Sequence, residues 1–373
     1  MKVLVVGGTG PSGPHLLRVL LEKGHDVTIL HRGVHEPPGL PDVPHIHADP
    51  HFSAPLLEAI RGKSFDVVFG LYGRLKVLAE VFAGRTDRFI AVGGRPVYAG
   101  FFDPSSTYPR GMQVLATEDS PRVDPSKIKD PAAAAFAGKL AAAEEAVMSS
   151  HREGAYRATL FRYPYVYGPR APGPFEWSVV RRVRDGRNTI NLPAGGLVLN
   201  SRCAARNAAH FLMLALDSES ACGEIFNCAD DVQYSLGQWV ELIAGCMGAQ
   251  LEIVDVPAAL RWTVGNFLIF AGTASDIVIN DISKAKRLLG YKDVVRPMDA
   301  LAETVEWYRH HPHGWENAMT FQDKFDYALE DRVRDALNRL KDEFAALDPQ
   351  HQAVHPYAHP KQPSSLAGDE KGR

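Results

Sequence analysis

An α/β fold built on a doubly wound parallel sheet is what this sequence predicts, and three observations predict it. Strand-length apolar runs alternate with helical patterns from the first residues onward. The first run, Lys2-Val3-Leu4-Val5-Val6, passes through Gly7-Gly8-Thr9-Gly10-Pro11-Ser12-Gly13 into Leu16, Leu17, Leu20 and Leu21 at helical spacing. The chain of 373 residues, 45% of them hydrophobic, is long enough for one large α/β domain and a smaller appended one.

The elements follow in order. Gly24-His25-Asp26 turns into a second strand, Val27-Thr28-Ile29-Leu30, and a Pro- and His-rich loop leads to a third segment, His45-Ile46-His47-Ala48-Asp49. Leu56, Leu57 and Ile60 mark a helix, and Phe65 to Phe69 a buried strand. A helix over 75–83 precedes the strand Arg88 to Val92. An Ala- and Glu-rich helix, Lys139 to Ser149, precedes the strand Ala158 to Arg162. This rhythm is that of a parallel sheet covered by helices on both faces.

The glycine turn is the first feature with chemistry in it. Between a buried strand and an amphipathic helix, Gly7 permits a sharp turn, Gly10 a close approach of backbone to pyrophosphate, and Gly13 tight packing of helix on strand. Phosphates would then meet free N–H groups at a helix N-terminus, so a dinucleotide cofactor is expected.

Composition narrows the remaining classes. A formal net charge of −3 provides no basic footprint for nucleic acid or an anionic membrane. Cys203, Cys222, Cys228 and Cys246 have no metal-type spacing and read as reduced thiols of a cytoplasmic protein. The first apolar run is too short for a signal peptide, and none reaches membrane-spanning length.

Longer stretches resemble a known family, the extended short-chain dehydrogenases/reductases, also called the epimerase/dehydratase family. Leu160 to Arg170, Gly223 to Cys228 followed by Ser235-Leu236, and Asp281 to Lys286 with Leu288 to Tyr291 and Thr304 to Tyr308 match its ordered segments, from Met1 to about Tyr308. The resemblance implies a Rossmann-type sheet over 1–170 that also receives later elements, and a smaller C-terminal substrate-binding region over 171–310. Beyond these we expect a helical extension over 311–347, with Phe325, Leu329, Val333, Leu337 and Leu340 as one apolar stripe, and a disordered tail over 348–373.

The resemblance also assigns chemistry, and the sequence departs from it. Hydride-transferring members carry a Tyr four residues before a Lys, the Tyr acting as acid/base while the Lys lowers its pKa and holds the nicotinamide ribose. Here Lys139 is present, but Ala135 stands at the Tyr position and Gly94 at that of the usual hydroxyl residue. Tyr72-Gly73-Arg74-Leu75-Lys76 repeats the Tyr-to-Lys spacing elsewhere, which makes Tyr72 a candidate catalytic residue beside Lys139, or alternatively a packing or cofactor contact. Tyr98 is a further candidate. Tyr165 replaces an Asn that contacts substrate in the family, and with Arg202 it is a candidate substrate residue; Arg206 is an alternative cation. An aromatic wall there argues for an apolar or aromatic ligand over a nucleotide sugar.

His31-Arg32 follows the second strand, where NAD-specific members place an acidic residue. Arg32, assisted by His31, suits a 2′-phosphate, so NADP(H) is preferred and NAD(H) is the alternative. Asp49 resembles the family's adenine-contacting Asp. His45, His47 and His51 alternate along a strand and its exit loop, which spreads the imidazoles without carboxylates to complete a site, so no metal is expected. His310, His311 and His313 suit the negative pole of a helix end. Trp262, Phe267 and Phe270 could line a pocket, fill a core or cover a homodimer surface. Two functions result: an atypical NADP(H)-dependent oxidoreductase or epimerase-like enzyme of small molecules, or a non-catalytic cofactor-binding sensor or scaffold.

Overall fold

In the computed structural model, the protein is described over residues 1–34, 36, 39–171, 173, 175–268, 277–311 and 323–345, with backbone alone for 265–268. The elements run β1 (Lys2–Val6), α1 (Gly13–Glu22), β2 (Asp26–His31), β3 (His45–His47), α2 (Ser53–Ala59), β4 (Val67–Gly70), α3 (Leu75–Phe82), β5 (Arg88–Gly94), α4 (Pro131–Arg152) and β6 (Arg157–Tyr163). They continue as β7 (Tyr165–Tyr167), α5 (Phe175–Arg184), β8 (Thr189–Pro193), β9 (Leu199–Asn200), β10 (Arg202–Ala204), α6 (Ala205–Leu216), β11 (Glu224–Asn227), α7 (Leu236–Cys246) and β12 (Glu252–Val256). The last are β13 (Ile277–Val278), α8 (Ser283–Leu289), α9 (Pro297–His310) and α10 (Tyr327–Ala345).

Seven parallel strands form the central sheet in the order β11-β6-β5-β4-β1-β2-β3. Alternation along each strand separates two apolar layers. Val3 and Val5 face a layer containing Leu16, Leu17 and Leu20 of α1, Phe211 and Leu212 of α6, and Leu289 of α8. Leu4 and Val6 face the other layer, with Leu56 of α2, Leu78 and Phe82 of α3, and Val147 of α4. Helices therefore cover both faces, as a purely parallel sheet requires. The strand order reverses direction between β1 and β4, and crevices at such a switch point take ligands in open α/β sheets.

Three parallel pairs lie outside this sheet: β7 with β10, β8 with β12, and β9 with β13. The chain falls into two compact units, Met1–Asp326 and Tyr327–Arg373. In the second unit, α10 starts after Phe325, which stands at φ +50°, and Leu340 is exposed. Of the expected stripe, Phe325 therefore precedes the helix and Leu340 faces outward, while Val333 and Leu337 are buried. The tail over 348–373 lies outside the described residues.

Several elements differ in extent from the sequence expectation. The helix expected from Lys139 begins eight residues earlier at Pro131, because Asp130 caps it by accepting from the Ala133 N–H at 2.8 Å, with Pro131 at the first position. The strand placed at Phe65 starts at Val67.

Candidate active site

The Gly-rich turn sits at the C-terminal end of β1, where the sheet order switches. Gly7 and Gly8 stand at φ +106° and +79°, backbone that a side chain would strain. A Cβ on Gly13 would lie 2.1 Å from the Gly8 carbonyl oxygen, so the helix start packs directly on the turn. Gly10 faces open space, and α1 carries no acidic side chain in its first turn and no side-chain cap. An anion there would meet no competing carboxylate and no side-chain cap, while the Gly13 N–H is bonded to the Gly10 carbonyl at 3.1 Å and Pro14 has no N–H.

Three further strand ends border this turn. Arg32 follows β2, is exposed, and holds its guanidinium 5.6 Å from the Tyr72 ring centroid. The Tyr72 ring also meets His51 edge-on at 5.1 Å, and a Cβ on Gly7 would touch the Tyr72 Cβ at 2.9 Å. Asp49, beyond β3, accepts from the backbone N–H of His51 at 3.0 Å and from its ring at 2.7 Å. These two hydrogen bonds hold its carboxyl below the usual carboxylate range. Gly7, Arg32, Asp49 and Tyr72 therefore share one rim.

Tyr72 precedes the first residue of α3, so its spacing to Lys76 is not one helical turn; Lys76 instead lies 3.9 Å from Glu80 along α3. Lys139 projects from α4 on the other side of the switch point, exposed and without an ion pair among the described residues. Ala135, one turn before it, is also exposed, and Gly94 closes β5.

Tyr98 is removed from the catalytic candidates by its surroundings. Fully buried, it donates to Asn227 Oδ1 at 2.7 Å and accepts from Arg162 at 2.8 Å, and burial pushes its phenol up. Arg162 in turn grips Glu144 with two hydrogen bonds, of 3.0 and 2.6 Å. This is a structural knot joining β6, α4 and β11.

Tyr165 and Arg202, by contrast, come together. They are register partners across the β7–β10 pair. The Tyr165 hydroxyl donates to Gly173 O and stands 2.9 Å from Glu176 Oε2, while its ring meets Phe175 at 4.6 Å. Arg202 lies 4.8 Å from the Trp239 ring centroid and donates to the Tyr234 carbonyl at 2.9 Å. Glu176 is the residue sequence reasoning missed: a fully buried carboxyl that accepts from Trp239 Nε1 at 3.1 Å and is pushed up by burial. Burial lowers the Arg202 guanidinium to about 10, against the opposing pull of Glu176. No local pattern announces Glu176; only packing of α5 on α7 brings it to Trp239. Arg206 pairs instead with exposed Glu303 at 2.8 Å.

The histidines also depart from expectation. His51 pairs with Asp49, but His45 and His47 are not spread apart: two residues apart on β3, they share a face, His47 is the register partner of His31 on β2, and Glu36 supplies a carboxylate. The His31 ring meets His45 Nδ1 at 3.1 Å and accepts from the Gly33 N–H at 3.1 Å. His311 bonds the Trp307 carbonyl at 2.8 Å at the end of α9, and His310 pairs with Glu306 at 2.7 Å; His313 lies outside the described residues. Trp262 is exposed, and the side chains of Phe267 and Phe270 are outside the described set. All four cysteines are free.

A parallel sheet of this order with a Gly-rich turn at its switch point defines a class, the dinucleotide-binding α/β proteins. The chain belongs to the NAD dependent epimerase/dehydratase family, whose pattern matches residues 3–229. It is 29% identical over 313 residues, 78% of this chain and 96% of the relative, to a 3-diazoavenalumate denitrifying reductase of a Streptomyces species. It is 25% identical over 332 residues, 83% of this chain and 98% of the relative, to a UDP-N-acetyl-alpha-D-glucosaminuronate decarboxylase of Bacillus cytotoxicus. Among solved structures, a UDP-glucose 4-epimerase of Thermotoga maritima, bound to UDP-glucose, superposes with a TM-score of 0.65 at 17% identity, covering 84% of this chain and all (100%) of that one. A UDP-glucuronic acid 4-epimerase of Bacillus cereus, solved with UDP-glucuronic acid and NAD, gives 0.63 at 18% identity over 83% of this chain and 100% of that one.

Proposed function

We propose that this protein is an NADP(H)-dependent oxidoreductase or epimerase/dehydratase-like enzyme acting on a small apolar or aromatic molecule, with an acid/base group other than the family's Tyr. The rim formed by Gly7, Arg32, Asp49 and Tyr72 carries this reading. The helix N-terminus beyond Gly7, Gly10 and Gly13, with no side-chain cap, suits a pyrophosphate, and Asp49 suits the adenine. Arg32 stands where a carboxylate would repel a 2′-phosphate, and supplies a cation for that group instead. Tyr72, stacked under Arg32, serves as a wall of the adenosine half and not as the acid.

Lys139 would hold the nicotinamide ribose. When bound, the cofactor supplies hydride transfer. The substrate would sit by Tyr165 and Arg202, over an aromatic wall that includes Phe175 and Trp239. The test is a fluorescence titration of full-length protein with NADPH and NADH. NADPH is expected to bind at least tenfold more tightly, and Arg32→Ala to remove that preference at a cost of about 10–100-fold, the worth of a charge-assisted hydrogen bond. Absence of binding by both cofactors defeats the proposal.

A second reading, a non-catalytic cofactor-binding sensor or scaffold, is favoured by Ala135 and Gly94, neither of which can move a proton. Tight NADPH binding with no turnover of carbonyl, aromatic or nucleotide-sugar substrates, and no loss on Lys139→Ala, selects it over the first.

A further inference from the structure

The strands β2 and β3 bring three imidazoles and one carboxylate to a single point. His31 Nε2, His45 Nδ1, His47 Nε2 and Glu36 Oε1 all lie within 4.8 Å of one another. Four of the separations are 3.1 Å (His31–His45), 3.4 Å (His45–Glu36), 3.6 Å (His31–Glu36) and 3.1 Å (His47–Glu36). A zinc ion with bonds of about 2.0–2.1 Å to four tetrahedral ligands sets those ligands about 3.3–3.4 Å apart. The observed edges bracket that spacing.

Hydrogen bonding alone explains the cluster poorly. A ring nitrogen directs its lone pair or its N–H along one line in the ring plane, towards one partner. His45 Nδ1 is shared by His31 Nε2 and Glu36 Oε1, and one ring nitrogen cannot hydrogen-bond along both lines at once; the third edge, His31 to Glu36, is an ion-pair contact at 3.6 Å. A cation at that centre satisfies all four atoms at once. Sheet register, not loop geometry, sets three of the four: His31 and His47 are paired across the strands, and His45 lies two residues back on the same face. The His31 ring is buried, which fixes one ligand in place.

We propose that His31, Glu36, His45 and His47 form a zinc site at the outer edge of the central sheet. Three imidazoles and a carboxylate suit Zn²⁺ over Mg²⁺ or Ca²⁺, which prefer oxygen. Four protein ligands leave no open position, so the ion is structural. It pins Glu36, in the connection between β2 and β3, to both strands and thereby braces the segment that begins at Arg32. One local adjustment is required. The Gly33 N–H lies 3.1 Å from His31 Nδ1, and a ring bound to zinc through Nε2 carries its proton on Nδ1, so that amide turns away on metal uptake. Gly33, at φ +73°, has the backbone freedom to do so.

The experiment uses untagged full-length protein, stripped with chelator, reloaded with Zn²⁺ or Co²⁺, and desalted. Wild type is expected to retain one zinc per chain, and the Co²⁺ form to show the intense visible bands of a tetrahedral site. The His45→Ala/His47→Ala variant should lose both signals, with an affinity drop beyond the roughly 10–100-fold that changes around a metal's ligands cost. Glu36→Gln, at an exposed position, gives the same readout should the double variant fail to fold. His51→Ala, outside the cluster, should retain one zinc. Failure of wild type to hold zinc overturns the proposal. So does equal retention by wild type and both cluster variants, which would place the metal outside this cluster.

Discussion

His15 shows how a residue's surroundings convert into a pH dependence. It lies on α1, largely buried, and burial first, then the Arg206 and Arg18 guanidiniums, lower its imidazole to about 4. An unfolded chain protonates this ring near its ordinary value of 6.5, whereas the folded one resists until about 4. Between those values the unfolded state binds more protons, so the stability His15 contributes is complete above pH 6.5 and declines as the pH falls towards 4. Discounted for partial exposure, the loss between pH 8 and pH 5 is about 1–2 kcal/mol. Urea midpoints for wild type and His15→Gln at the two pH values should show a smaller acid-side decline in the variant; equal declines would refute the assignment. Arg32 and Tyr72 make a related point about neighbours. The Tyr-to-Lys spacing suggests acid/base chemistry for Tyr72, whereas in the fold its ring lies beside Gly7, Arg32 and His51.

At the level of elements, the knot at Arg162 locks β6 to α4 and to the stretch after β5. Burial disfavours the charge on Arg162, but the hydrogen bonds and charge of Glu144 outweigh it and raise the guanidinium above its ordinary value. Glu144 also pairs with Arg122, whereas neutralising Glu144 leaves Arg162 charged inside the protein without its carboxylate. Glu144→Gln is expected to cost about 3–5 kcal/mol in urea unfolding, and a double change to Arg162→Met/Glu144→Leu to recover part of that loss. A cost below 1 kcal/mol for the single change would mean that water reaches the pair. The same knot marks the boundary of what the sequence disclosed. The strands, the Gly-rich turn and the first helices were legible because periodicity and turn chemistry are local: Val3 and Val5 face one layer, Leu4 and Val6 the other. Tyr98, Glu176 and the His31–His45–His47 grouping were not, since each depends on strand order and register that link residues far apart in the chain. The start of α4 differs from the sequence expectation for a nearer reason, the capping Asp130 and the run of alanines that follows it.

For the molecule as a whole, the central sheet carries an apolar layer on each face, and the Gly-rich turn lies at the C-terminal end of β1. No helix among the described residues is long and apolar enough to cross a membrane. A cofactor that joins the folded crevice and not the unfolded chain stabilises the fold by an amount set by its concentration relative to Kd, about 2.7 kcal/mol at a hundredfold excess over Kd. In the unit Met1–Asp326 this should raise Tm by several degrees. On the proposed NADP(H) preference, the shift is selective. At equal concentrations NADPH should raise Tm more than NADH, because only NADPH offers Arg32 a 2′-phosphate. Arg32→Ala should then reduce the NADPH shift to the NADH value while leaving the NADH shift unchanged, as measured by calorimetry on full-length protein. A variant that loses both shifts equally would place Arg32 on the pyrophosphate shared by the two cofactors, and a variant that loses neither would remove it from the rim's chemistry.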